Sequence, residues 1–209
     1  MALRIAVIYG SVRTGRQGIK AARFMVESIR RRGHDVRLVD PAEERLPLLD
    51  RMYKEYPRGG APEPLERLAR VVSTADAYVI VTGEYNHAVP PALANLLDHF
   101  LEEYFWKPSA IVSYSAGSFG GVRAAVALRE MVAEMGMPAI PSVLPVPRVQ
   151  DAFDDEGRPK DEAWNRRADK FLVELEWYGE ALRAARIKDG KDSTPDRTFC
   201  DALSVGPLA

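Results

Sequence analysis

The sequence predicts an α/β fold: an open, parallel, five-stranded sheet with helices on its faces. Three observations carry the prediction. Short β-branched apolar runs alternate with longer segments at helical spacing along most of the chain. The runs at residues 3–9 and 77–82 are apolar almost throughout, as strands buried on both faces must be. Each run is separated from the next by a segment long enough for a right-handed crossover, which parallel neighbours require.

Taken in order, residues 3–9 form the first strand and end at Gly10. Ile19, Ala22, Val26 and Ile29 recur at helical spacing, with Gly33 as the stop. Arg30, Arg31 and Arg32 fall in that helix's last turn, where the dipole favours cations, so helix termination accounts for them. Residues 36–39 form a short second strand. Residues 40–63, rich in Pro, Gly and charge, make a connection longer than usual. Such a stretch covers a site, forms a subunit contact, or is an insertion. Leu65, Leu68, Ala69 and Val72 restore a helix before the third strand at 77–82. Leu93, Leu96, Leu97, Phe100 and Leu101 mark the next helix, with Pro90 and Pro91 at its start. Residues 110–114 form the fourth strand, and a helix runs from about Gly121 to Met135, closed by Gly136. Residues 140–144 form the fifth, crowded by Pro138, Pro141 and Pro145 and therefore at an edge. Trp164, Phe171, Leu175, Tyr178 and Leu182 define a final helix. No internal repeat is visible.

The 209 residues divide into one domain, 1–187, and a polar tail, 188–209, broken by Gly190 and Pro195; the tail is either disordered or an interface arm. The net charge of −1 excludes a globally basic nucleic-acid binder and a strongly acidic disordered chain. That figure averages a stretch of +6 over residues 1–40 and −7 over the rest. A single cysteine, Cys200, rules out an internal disulfide framework and fits a reducing compartment. With no signal-peptide pattern and no apolar run near the ~18 residues of a membrane span, a cytoplasmic protein is expected.

Ligands in open α/β sheets bind at the carboxyl ends of the strands. The loops after the first, third and fourth strands are therefore the candidates. The first, residues 10–18, joins a strand to a helix N-terminus, whose free N–H groups suit a phosphate. Ser11 and Thr14 add hydroxyls, and Arg13 and Arg16 add fixed charge. The plain alternative is a turn with solvated arginines. Gly15 is followed by Arg16-Gln17, so the loop fails as a Walker A motif, and Gly10-Ser11-Val12 fails the dinucleotide fingerprint at its second glycine. In the second loop, residues 82–91, Tyr85 can stack on a flat ring and Asn86 can read a heteroatom edge. The alternative is a helix-entry turn with Asn86 capping. The third loop, residues 113–123, carries glycines that permit close backbone approach, with Phe119 as wall or core. Three such loops on one sheet edge describe a site for a phosphorylated flat cofactor.

At these residues the sequence resembles the NADPH-dependent FMN reductase family, over about residues 3–185. The matching stretches are Gly10-Ser11-x-Arg13, then Glu84-Tyr85-Asn86-x-x-x-Pro90-x-x-Leu93-x-Asn95-x-x-Asp98, then Ser115-x-Gly117-x-x-Gly120-Gly121-x-Arg123-Ala124. The family's second loop usually reads Thr-Pro-Glu-Tyr-Asn; here Gly83 stands in place of the proline. Gln17-Gly18 stands where many members have serine and asparagine. The resemblance implies a flavodoxin-like three-layer sandwich, whose sheet order is 2-1-3-4-5 with FMN at the switch point. It further implies that Ser11, Arg13, Gln17 and Gly18 hold the FMN phosphate. Gly83, Glu84, Tyr85 and Asn86 line the isoalloxazine, largely through backbone groups, and Ser115, Ala116 and Gly117 form the other wall. The implied reaction is hydride transfer from NADPH or NADH to flavin N5, then reduction of a flavin, quinone, azo compound or metal oxyanion. Such chemistry needs no catalytic acid or base. The N-terminus of the helix after the third loop is expected to help stabilise charge on the reduced ring. A homodimer or a tetramer of dimers is also implied, with the site near the interface; residues 40–63 and an exposed Tyr104-Phe105-Trp106 would serve it.

Two other readings compete: a one-electron carrier of flavodoxin type, and a non-enzymatic FMN-binding sensor or scaffold. Carriers of that type are usually strongly acidic, which this chain is not. His34, His87 and His99 lack metal-ligand spacing, so no metal is expected. His87 is read as a solvated loop residue, Asp98 as a surface or interface carboxylate, and Cys200 as unreactive.

Overall fold

In the computed structural model, which describes residues 2–191, strand β1 (Arg4–Tyr9) leads into helix α1 (Ile19–Arg31), and strand β2 (Asp35–Val39) returns parallel to β1. A short helix α2 (Pro41–Glu44), a 3-10 turn Tyr53–Glu55 and helix α3 (Glu63–Thr74) precede strand β3 (Ala77–Gly83), which pairs with the other side of β1. Helix α4 (Pro91–Asp98) and a 3-10 turn Glu102–Tyr104 lead to β4 (Ser109–Tyr114); helix α5 (Val122–Glu134) leads to β5 (Ala139–Val146). Two helices follow, α6 (Val149–Ala152) and α7 (Ala163–Lys188). The five strands are parallel and lie in the order β2-β1-β3-β4-β5, the α/β arrangement expected. From residue 192 onward the expected tail, with Cys200, lies outside the described residues.

The three layers follow from the period of two along the strands. Ile5, Val7 and Tyr9 of β1, with Val79 and Val81 of β3, pack against α1 and α7. Ala6 and Ile8, with Tyr78 and Ile80, pack on the other face against α3, α4 and α5. These strand residues are fully buried, which is why the runs read as continuous apolar sequence. Each large one contributes roughly 1.5–3 kcal/mol by leaving water.

At the amino ends of the strands, buried Asp76 accepts from the Arg4 backbone N–H at 2.8 Å and from its guanidinium at 3.1 and 3.2 Å. Arg183 and Arg186 of α7 approach the same carboxylate at 3.5 Å. This ion cluster joins β1, β3 and α7 at the end of the sheet opposite the three loops.

β5 is an edge strand, as its prolines require. Its register with β4 shifts between Ser109 and Ile111, where Pro141 is accommodated. Arg129 of α5 donates to the carbonyls of Ile140 and Pro141 there, at 2.9 and 3.0 Å.

Three details differ from the sequence reading. α4 stops at Asp98 instead of continuing to Leu101, because the His99 carbonyl accepts from the Tyr53 N–H at 2.8 Å. Tyr104 is fully buried edge-on against Tyr78, whereas Trp106 is half exposed, so the three-aromatic stretch is not one exposed surface. The 40–63 connection holds α2, capped by Asp40 on the Ala42 N–H at 3.0 Å, and is pinned to α4 by Asn95 through Pro47 O and Leu49 N–H. Among the described residues no helix is long and apolar enough to cross a membrane.

Candidate active site

The first loop leaves β1 with Ser11 almost fully buried, its Oγ 2.9 Å from the Tyr85 hydroxyl of the second loop. Arg16 turns inward. It binds Asp40 through both terminal nitrogens, donates to the Ser11 carbonyl at 2.8 Å, and lies over the Tyr9 ring. Its charge is thus committed to holding the loop, not left free for a ligand. Arg13 is exposed, and its guanidinium makes no hydrogen bond or ion pair with the described residues. Gln17 is exposed and donates to Gly15 O at 3.2 Å. α1 begins at Gly18 with no capping side chain and no acid in its first turn. Its N–H groups and dipole are therefore left for an anion.

The second loop is a tight two-residue turn. Tyr85 and Ala88 exchange backbone hydrogen bonds at 3.0 and 3.1 Å, with Asn86 and His87 both left-handed at φ 51° and 67°. Asn is among the few residues that adopt this conformation readily. Asn86 and His87 are exposed at the tip. Glu84 points away from the loop, toward α5. Its carboxylate accepts from the Arg123 N–H at 3.2 Å and from the Arg123 guanidinium at 2.9 Å. Burial pushes the Glu84 carboxyl up, but those bonds outweigh it and its pKa is lowered. The α5 N-terminus is therefore already compensated by Glu84, and is not the free positive end expected to face a ligand.

The third loop is fixed from within and from behind. Ser115 Oγ donates to Gly117 O and accepts from the Gly120 N–H, both at 2.9 Å. Gly117 O and Ser115 O also accept from the N–H groups of Arg148 and Val149, at 2.9 and 3.1 Å. Phe119, expected in wall or core, is exposed, with the Arg123 guanidinium over its ring.

The three loops enclose a cleft of about 320 Å3. Of the expected site residues, Ser11, Arg13, Gln17, Gly83, Glu84, Tyr85, Ser115 and Ala116 line it, whereas Gly18, Asn86 and Gly117 do not. Thr14, Gly15 and Arg16 complete its first-loop side, and Tyr114 and Val149 line it without having been expected. Tyr114 closes β4, and its ring fills the space beside two glycines. A Cβ on Gly18 would lie 2.0 Å from its Cζ, and one on Gly83 3.0 Å from its Cζ and hydroxyl oxygen. The Tyr114 hydroxyl donates to the Tyr9 hydroxyl at 3.3 Å, and burial raises the pKa of both phenols. The signal for Tyr114 was its place: a large polar aromatic at the end of a strand of small and apolar residues.

This donor set fits FMN. An unpaired arginine and an uncapped helix N-terminus mark one end for a phosphate. Tyr85 and the backbone of residues 83–84 and 115–116 border the other. The volume lies within the ~300–1,000 Å3 range of ligand sites.

A second hollow, of about 280 Å3, lies on the outer side of the first loop, lined by Val12, Leu46, Leu48, Pro91 and Asn95 among others. Leu48 is 85 % exposed and Val12 53 %.

The family profile described as NADPH-dependent FMN reductase matches residues 3–151. An NAD(P)H-dependent FMN reductase of Pseudomonas aeruginosa is 31% identical over 130 residues, 59% of this chain and 70% of that protein. A quinone reductase of Pseudomonas putida is 30% identical over 165 residues, 75% of this chain and 84% of that protein. The solved flavoenzyme NAD(P)H:(acceptor) oxidoreductase FerB of Paracoccus denitrificans superposes with a TM-score of 0.69 at 22% identity, covering 85% of this chain and 99% of that one.

Proposed function

The chain belongs to the NADPH-dependent FMN reductase family, and from that premise we propose that it is a quinone-type reductase working as a homodimer. It is an FMN-dependent NAD(P)H oxidoreductase. When bound, FMN would supply the redox chemistry that links NAD(P)H oxidation to reduction of an acceptor. Arg13, Ser11, Gln17 and the α1 N-terminus hold the phosphate. Residues 83–85 and 115–116 border the ring and keep water from one side of it. Arg16 and Asp40 keep the phosphate loop in shape before a ligand arrives, which lowers the ordering cost of binding. The protein's part is position and electrostatics, not acid–base catalysis.

The observation that carries the reading is the convergence of three strand-end loops on one cleft, with Arg13 unpaired among the described residues beside an uncapped helix start. A quinone as acceptor is favoured by the Pseudomonas putida relative's name. The exposed apolar residues Val12 and Leu48 beside the cleft support a second copy as their cover. The lone cysteine supports a cytoplasmic setting.

The test is reconstitution with FMN, followed by the absorbance spectrum and by NADPH and NADH oxidation against quinone, azo and free-flavin acceptors. Yellow protein with quinone-dependent oxidation is expected, and light scattering should give twice the chain mass. Bound flavin with no turnover on any acceptor would favour the sensor reading instead.

A further inference from the structure

The two ends of the cleft are explained by the residues already discussed; its middle is not. Between the phosphate loop and the ring-binding loops the floor is made by Tyr114. Its ring reaches from β4 past Gly83 to the start of α1 at Gly18, and it remains 9 % exposed where it lines the cleft. A ligand anchored by an anion at Arg13 and by a flat ring at Tyr85 would share the cleft that Tyr114 lines. In FMN the part between those two anchors is a polyhydroxylated chain.

We propose that Tyr114 is the residue that reads this chain: its ring is the floor beneath it and its phenol oxygen accepts a hydrogen bond from a chain hydroxyl. The proposal rests on the FMN reading above. Four features support it. The Tyr114 hydroxyl spends its proton on Tyr9, which leaves its oxygen as an acceptor, beside the Ser11 hydroxyl that also reaches it. Burial keeps the phenol protonated at all ordinary pH, so the acceptor is neutral and suits a hydroxyl better than a cation. The nearby pair of Ser11 Oγ and Tyr85 hydroxyl, both lining the same cleft, adds a second polar contact along the same path. The seats at Gly18 and Gly83 fix the ring between the loops, so the oxygen is held in place before the ligand binds.

The experiment compares three probes by flavin fluorescence: FMN, riboflavin, which lacks the phosphate, and lumiflavin, which lacks the chain. Tyr114→Phe keeps the ring and removes the oxygen. It should weaken FMN and riboflavin by the same factor, roughly 3- to 10-fold for one neutral hydrogen bond, and leave lumiflavin within about twofold. Tyr9→Phe breaks the same internal bond from the other side and should leave all three within about twofold. Undiminished FMN binding by Tyr114→Phe would overturn the proposal. So would an equal loss for lumiflavin, or an equal loss in Tyr9→Phe, since either would make the effect structural. Failure of the unsubstituted protein to bind FMN would overturn the functional reading itself, and shows before any variant is made.

Discussion

Arg16 grips buried Asp40 with both terminal nitrogens while holding the Ser11 carbonyl, so a residue near the start of α1 is tied to the end of β2 and to the turn that leaves β1. Removing the arginine leaves a buried carboxylate without its partner. Arg16→Ala should cost about 2–4 kcal/mol of stability, below the full buried-pair range because a fifth of Arg16 reaches solvent. Urea unfolding checks it; an unshifted midpoint would show that the pair does not hold the loop.

Arg13 is the opposite case, a guanidinium with no partner among the described residues. Arg13→Ala should leave stability unchanged and weaken FMN binding by ~1.5–3 kcal/mol, while riboflavin affinity stays the same. Equal losses for the two flavins would remove Arg13 from the phosphate site.

Gly18 has an ordinary helical φ of −65°, so its backbone would accept any residue. What forbids a side chain is the Tyr114 ring, 2.0 Å from where a Cβ would stand. Gly18→Ala should destabilise the fold by about 1–3 kcal/mol through overpacking. In a Tyr114→Ala background the same substitution should cost markedly less. A double-mutant cycle on thermal midpoints measures the coupling, and additive effects would contradict the steric account.

Glu84 joins the second and third loops through Arg123, and its pKa is lowered in the folded protein. A depressed carboxylate stabilises above its unfolded value of 4.5 and stops doing so as pH falls through the lower folded value. Flavin retention should therefore drop below about pH 4.5 more steeply in the natural sequence than in Glu84→Gln, which lacks this titration. Parallel acid titrations of the two proteins, followed by release of flavin fluorescence, decide it.

Asp76 is fully buried among three arginines at the far end of the sheet. Asp76→Ala should cost roughly 3–5 kcal/mol by stranding those charges. FMN affinity of the protein that remains folded should not change, because no residue of this cluster lines the cleft.

Strands β1, β3 and β4 were legible because they are buried on both faces and so are mostly apolar, as at Val79-Ile80-Val81. The edge position of β5 was legible from its prolines. The site was legible as three loops, since loop chemistry is local. What the sequence hid depends on contacts between distant segments. Arg16 looked like a ligand's partner because Asp40 lies far along the chain. Glu84 was expected to line the site largely through its backbone, and nothing local shows that its carboxylate reaches the α5 start at Arg123. The glycines at 18 and 83 read as two unrelated departures from the family pattern. The ring of Tyr114 accounts for both. α4 ended early for the same kind of reason, a carbonyl captured by Tyr53 from outside the helix.

The margin of the sheet at β5 has a bearing on how copies of this chain can meet. Pro141 and Pro145 lack the N–H that a neighbouring strand would need, and Arg129 already occupies the carbonyls of Ile140 and Pro141. That margin is a poor template: a sixth strand from another molecule would lack two donors, at Pro141 and Pro145, and two acceptors, at the carbonyls of Ile140 and Pro141. Self-association is thereby steered away from runaway sheet growth through β5 and toward side-chain surfaces, where it can stop at a fixed number of copies.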